Sequence, residues 1–250
     1  VKGNKTYLDD TVFQAIGLRC SNALINDQAV DSLINYLDEY RSYGLNTISV
    51  YLLGSRYSNI YGYNQDGTLD PVYQQRLEQI IEACYQRKMV VLVGILYWGS
   101  SQHGRSNEHY ATWGQEEVNT AMRNTVQWLT DKEYRNIFID PDNEGMAERA
   151  ASFDIGEMIC EGKKVNADLP IAYNSRGYPP PCADLNIHFA NQTEQLPYIE
   201  TEGTPSQYWG DYSKEAGLDH YINVGIYTKG KKNQQLTRTQ ELLDEGHGYL

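Results

Sequence analysis

The chain has 250 residues, with 21 Lys and Arg against 33 Asp and Glu, for a formal net charge of −12. That balance repels phosphate backbones and argues against nucleic acid as a partner. No apolar run reaches the ~18 residues of a membrane-spanning helix, and the length suits one α/β barrel domain over 1–250.

The aromatic content is skewed, with 21 Tyr against 4 Phe and 4 Trp. Tyrosine combines an apolar face with a polar tip, which suits both the faces and the hydroxyls of a sugar. The four cysteines, Cys20, Cys84, Cys160 and Cys182, are widely spaced without a CxxC pair. They read as lone buried thiols rather than zinc ligands. The five histidines show no HxH or HExxH pattern, and no GxSxG is present, so neither a metal nor a serine hydrolase is indicated. No cofactor motif stands out. The chain begins at Val1, not Met; removal of preceding residues and a secreted, periplasmic or cell-surface location are the expectation.

Strand-like and helix-like patterns alternate along the chain. "FQAIGL" (13–18) is the first predicted strand. In "DQAVDSLINYLDEYRSYG", Val30, Leu33, Ile34, Leu37 and Tyr40 recur at helical spacing, and Gly44 ends the helix. "NTISVYLL" (46–53) is the second strand. The following helix opens with Asp70 as N-cap and Pro71 at its first position. "MVVLVGILYW" (89–98) is the third strand and "NIFID" (136–140) the fourth. "PIAYN" (170–174), "LNIHFAN" (185–191), "PYIETE" (197–202) and "INVGIYT" (222–228) complete eight, and the C-terminal residues suit a closing helix. Parallel neighbours need crossover connections, so the pattern predicts a (β/α)8 barrel whose crossovers after strands five and six are short or lack helices. A doubly wound sheet would carry a glycine-rich loop after its first strand, and "GLRCSNAL" has one glycine.

Barrel active sites lie at the C-terminal ends of the strands. Those ends offer Arg56, Tyr97 and Trp98, Asn143 and Glu144, Asn174 and Arg176, His188, Glu200 and Glu202, and Tyr227. Trp209 lies in the loop after Glu202 and is placed for stacking on a sugar. Strands four and seven face each other across a barrel, so Glu144 and Glu202 can share one cleft. Two carboxyls flanking a glycosidic bond supply a proton donor and a nucleophile or base. Glu200 competes with Glu202; alternation puts it deeper, where it needs a partner such as Arg176 or a proton. Asp140 poses the same burial problem on strand four.

Asn143-Glu144 at the end of a fourth strand, with Glu202 of "ETEG" ending a seventh, resembles the clan A retaining glycoside hydrolases. The resemblance implies acid/base Glu144, nucleophile Glu202, and Asn143 at the sugar 2-hydroxyl. Several positions depart from it. Gly145 stands where that clan often has Pro, Arg56 lies beyond strand two rather than within it, Tyr227 replaces a Trp, and His188 replaces a Tyr. The implied substrate is an oligo- or polysaccharide with β-glycosidic bonds. The remaining positions, Arg56, Tyr97, Trp98, Asn174, Arg176, His188, Trp209 and Tyr227, would contact it. Two other readings stay open. One is a non-catalytic sugar-binding barrel. The other is a polysaccharide lyase using Arg176, Tyr227 and Lys229.

Overall fold

The structure is a computed structural model and describes residues 1–54, 59–99, 106–201 and 229–250. Its first two strands, β1 (Thr6–Leu8) and β2 (Thr11–Phe13), form an antiparallel hairpin turning at Asp9 and Asp10, both at positive φ. The remaining strands are parallel to their neighbours. In chain order they are β3 (Gly17–Arg19), β4 (Thr47–Tyr51), β5 (Val90–Leu96), β6 (Ile137–Asp142), β7 (Ala172–Tyr173), β8 (Leu185–Ile187), β9 (Tyr198–Glu200) and β10 (Gly248–Tyr249).

They lie in two four-stranded sheets, ordered β3-β4-β5-β6 and β10-β9-β8-β7. Parallel bridges join the sheets at both seams, Ile139 with Ile171 and Ile16 with Tyr249. The seams carry backbone bonds from Ile139 N–H to Pro170 O (3.0 Å) and from Tyr249 N–H to Ala15 O (2.7 Å). Eight strands thus close on themselves, as the sequence pattern predicts.

One strand differs from expectation. The segment 222–228 lies outside the described residues, and the strand beside β9 is Gly248–Tyr249. The C-terminal segment is therefore helix followed by strand, not helix alone. Its apolar "GYL" ending is too short to register as a strand by pattern, and only the free edges of β9 and the first strand give it pairing partners.

Helices α1 (Asp27–Ser42), α2 (Pro71–Gln86), α4 (Gln115–Asp131) and α6 (Ile155–Val165) cross between the early strands, with short helices α3 (Ser106–His109) and α5 (Met146–Ala151) in the connections. Helix α7 (Lys229–Asp244) precedes β10. Asn26 caps α1 by accepting from Ala29 N–H (2.8 Å), and Gly44 follows its end at φ +87°. Asp70 caps α2 ahead of Pro71, accepting from Val72 N–H at 2.9 Å. Among the described residues no helix separates β7 from β8 or β8 from β9. No described helix is long and apolar enough to cross a membrane.

Alternation along the strands sorts side chains into two layers. Tyr51, Leu92, Phe138, Leu185, Ile187 and Ile199 fill the barrel interior. Ile48, Val91, Val93, Ile139 and Ile171 pack outward under the helices. Leu8 and Phe13 of the hairpin pack against the interior cluster and stop the N-terminal end. A cavity of about 250 Å³ lies there, lined by Leu8, Phe13, Ile137, Leu185 and Ile199, at the opposite end of the strands from Glu144.

The cysteines correct the sequence reading. Cys160 of α6 and Cys182 of the β7–β8 connection form a disulfide, 5.2 Å apart at Cα. Spacing of 22 residues gives no pairing signal; the fold brings them together. Cys20 and Cys84 are free thiols, and burial pushes both up to about 12.

Candidate active site

The segment 138–147 ends its strand in three carboxylates, and each has a separate task. Asp140 points into the barrel with no exposure. Its Oδ2 lies 2.5 Å from the Tyr51 hydroxyl and accepts from Asn174 Nδ2 at 2.9 Å. Burial pushes the Asp140 carboxyl upward and the Tyr51 hydroxyl well above its usual range. The buried carboxyl needs such partners, because an unpaired charge in a low-dielectric interior is costly.

Asp142 turns the other way along the chain. Its carboxyl accepts from Ala147 N–H at 2.9 and 3.0 Å and from Glu148 N–H at 3.0 Å. It thereby satisfies the orphan donors at the start of α5. Burial dominates its titration and moves it up to about 8.

Glu144 is the third. It sits at the rim with its side chain 15% exposed and its backbone at φ +56°. The next residue, Gly145, is also left-handed at φ +61°, and a Cβ there would stand 2.6 Å from Ser175 Oγ. That close approach and the positive φ explain glycine at this position, where proline, which cannot adopt positive φ, would not fit. Arg149 reaches back to donate to the Glu144 carbonyl.

Arg19, at the C-terminal end of β3, joins the group. Its Nη2 donates to Asn143 Oδ1 (2.6 Å), and its Nη1 lies 3.7 Å from Glu144 Oε1. The Tyr51 hydroxyl lies 3.2 Å from the same Asn143 oxygen. A continuous polar network therefore runs from Asn174 and Asp140 inside the barrel to Glu144 at its mouth. The sequence reading missed Arg19 and Tyr51. A lone Arg closing the first strand in "GLRCS" was the available signal for the former. Tyr51 shows only as an inward position by alternation.

The other predicted site residues divide. Asn174 is in the network, with 1% exposure. Tyr97 borders it, its ring 5.4 Å from Tyr51 in an edge contact. Trp98, expected as a sugar contact, instead packs among Trp113 and Phe153 in the outer core and is 7% exposed. Residue 97 points inward, so residue 98 points under the helices. Arg176, expected to neutralise a carboxylate, is exposed; among the described residues it forms no ion pair and lies 5.6 Å over the Phe189 ring. Arg56, Glu202, Trp209 and Tyr227 lie outside the described residues.

Glu200 is not deeper in the barrel. Ile199 belongs to the interior cluster, so Tyr198 and Glu200 face the opposite side of β9. Among the described residues its partners include His188 Nδ1, the Tyr198 hydroxyl (2.9 Å) and the Thr201 N–H (2.9 Å), and Arg176 is not one of them. His188, at φ +42°, is thus engaged with Glu200.

No protein-family model matches the sequence, and no curated protein does. Solved structures do match in three dimensions. The catalytic domain of the major endoglucanase from Xanthomonas campestris superposes with a TM-score of 0.59 at 15% identity, covering 100% of this chain and 89% of that one. The endo-1,4-beta-mannanase from Rhizomucor miehei gives 0.57 at 11% identity, over 98% and 99%. A glycoside hydrolase family 5 structure from Bacteroides vulgatus gives 0.56 at 14% identity, covering 79% of this chain.

The fold is the (β/α)8 barrel of these structures.

The chain spans about half the length of the Bacteroides structure (51%). Asn143 and Glu144 follow the fourth ring strand counted from β3, at the C-terminal rim of this barrel.

Proposed function

We propose that this chain is a retaining glycoside hydrolase acting on β-glycosidic bonds of an oligo- or polysaccharide, with Glu144 as acid/base and Glu202 as nucleophile. The observation that carries the reading is the Glu144 carboxyl at the barrel mouth beside Asn143 and Arg19. In the first step the Glu202 carboxylate attacks the anomeric carbon. The bond to the leaving oxygen breaks as Glu144 gives that oxygen a proton. In the second, Glu144 takes a proton from water, whose oxygen attacks the same carbon and releases Glu202. Asn143 holds the sugar 2-hydroxyl, and Tyr97 stands beside the reacting ring.

Titles of the matching structures name an endoglucanase and an endo-1,4-beta-mannanase, so β-glucans and β-1,4-mannans are the first substrates to try. The Cys160–Cys182 disulfide supports an oxidising compartment, as expected for a secreted, periplasmic or cell-surface protein.

The test is a hydrolysis screen over polysaccharides and aryl β-glycosides, with wild type beside Glu144→Ala and Glu202→Ala. Turnover by wild type, lost in both variants, supports the reading. Near-normal activity in either variant removes that residue's role. Binding of a polysaccharide without turnover by wild type points to a sugar-binding barrel instead.

A further inference from the structure

We infer that Tyr51, anchored by Asp140, is a positioning residue whose hydroxyl fixes the orientation of the Asn143 side-chain amide. The inference rests on the glycosidase reading of the same rim and names how that rim is held in register.

The two ends of an Asn amide are nearly equal in size, so neighbouring donors and acceptors decide which way it faces. Arg19 is a donor only, and the atom it meets at 2.6 Å is therefore the Asn143 oxygen. The Tyr51 hydroxyl approaches the same oxygen at 3.2 Å from the barrel interior, and its single proton serves that oxygen when a protonated Asp140 donates to the Tyr51 oxygen. With the oxygen so engaged, the amide NH2 faces the Met146 sulfur at 3.8 Å, a weak acceptor. The NH2 keeps donor capacity for a sugar hydroxyl.

Tyr51 is itself held on three sides. Asp140 Oδ2 meets its hydroxyl at 2.5 Å, and Asn174 holds that carboxyl in turn. The ring lies so close to Gly94 that a Cβ there would stand 2.0 Å from a ring carbon. Tyr97 closes the remaining edge. The glycine in β5 thus makes room for a ring that carries a hydroxyl to the base of the catalytic pair. Arg19 extends the restraint to the Glu144 carboxyl at 3.7 Å.

Tyr51→Phe deletes the hydroxyl and keeps the ring. On aryl β-glycosides with a 2-hydroxyl, kcat/KM should fall on the order of 10- to 100-fold, mainly in kcat, the scale of a small misplacement of a reacting group. On the matching 2-deoxy glycosides it should change by less than about 3-fold, because the contact that Asn143 makes is absent there. In an Asn143→Ala background, Tyr51→Phe should cost nothing further. Tyr134→Phe, whose hydroxyl bonds Glu82 far from the rim, is the control. Equal loss on both substrates, no loss at all, or full additivity with Asn143→Ala overturns the inference. Should wild type cleave none of the substrates, the glycosidase reading falls, and crystal structures of wild type and Tyr51→Phe decide the positioning role. An Asn143 amide that rotates on loss of the hydroxyl supports it, and one that keeps its orientation refutes it.

Discussion

The two halves of the barrel are built differently. The half from β3 to β6 includes a seven-residue strand and a six-residue one, each crossover carrying a helix. The half from β7 to β10 has strands of two or three residues, and among the described residues its first two connections lack helices. In the first half, backbone pairing and two apolar layers suffice. The second half recruits other supports: the Cys160–Cys182 disulfide, the Glu200–His188–Tyr198 cluster, and Lys163, which donates to Asp184 Oδ2 at 2.8 Å. Side chains carried by long strands are held more precisely than those on loops, and the proposed acid/base Glu144 follows the longest strands while the proposed nucleophile Glu202 follows the short ones.

The largest expected effect separates the halves by chemistry. Glu144→Gln should lower kcat on an activated or natural substrate by on the order of 10³-fold, the scale of a lost general acid. Glu200→Gln should keep turnover within about 10-fold, because that carboxyl faces away from the interior. Steady-state kinetics on both variants checks this. A larger loss in the Glu200 variant would reverse the assignment.

Next comes the disulfide. The chain-entropy scale for a loop of this length gives about 3 kcal/mol, so Cys160→Ala with Cys182→Ala should lower Tm by roughly 6–12 °C. Thermal unfolding followed by circular dichroism measures it, and a shift under about 2 °C would show that the second half does not depend on the bridge.

Gly145→Ala couples the halves, since Ser175 after β7 presses on the turn after β6. Positive φ and the close oxygen together should cost about 1–3 kcal/mol, read as a lower urea midpoint, with activity falling as Glu144 shifts.

A further effect is a pH dependence. Burial holds Asp142 up to about 8, while in the unfolded chain it ionises near its ordinary value of about 4. Between those values the folded state binds the extra proton, so stability falls as pH rises from about 4 to 8. Urea midpoints at pH 5 and pH 8 should therefore differ less in Asp142→Asn than in wild type. An equal difference in both would assign the pH dependence to other groups.

The contrast also explains what could be read in advance. Strands two to four were legible because "TISVY", "VVLVGIL" and "IFI" are apolar runs long enough to stand out between helix patterns. Asn143 and Glu144 were legible because they end such a run. Arg19 was not, because a single cation ending a three-residue strand has no periodicity. Trp98 could not be assigned to core or sugar contact, because a strand-end tryptophan reads the same in sequence whether it faces the mouth or the helices. The eighth strand was missed because two paired residues carry no pattern of their own.

The sequence by itself determined the alternation of strand and helix, the glycine stop after α1, the Asp70 cap of α2, and the candidate carboxylate after the fourth strand. These follow from local rules: hydrophobic period, turn chemistry and the preference of caps for side chains that accept hydrogen bonds. Tertiary structure alone decided that Gly248–Tyr249 closes the ring, that Cys160 meets Cys182, that Glu200 turns outward to His188, and that Arg19 and Tyr51 converge on Asn143. Each of these joins residues distant in the chain, and which of them meet depends on strand register and on which face each side chain takes.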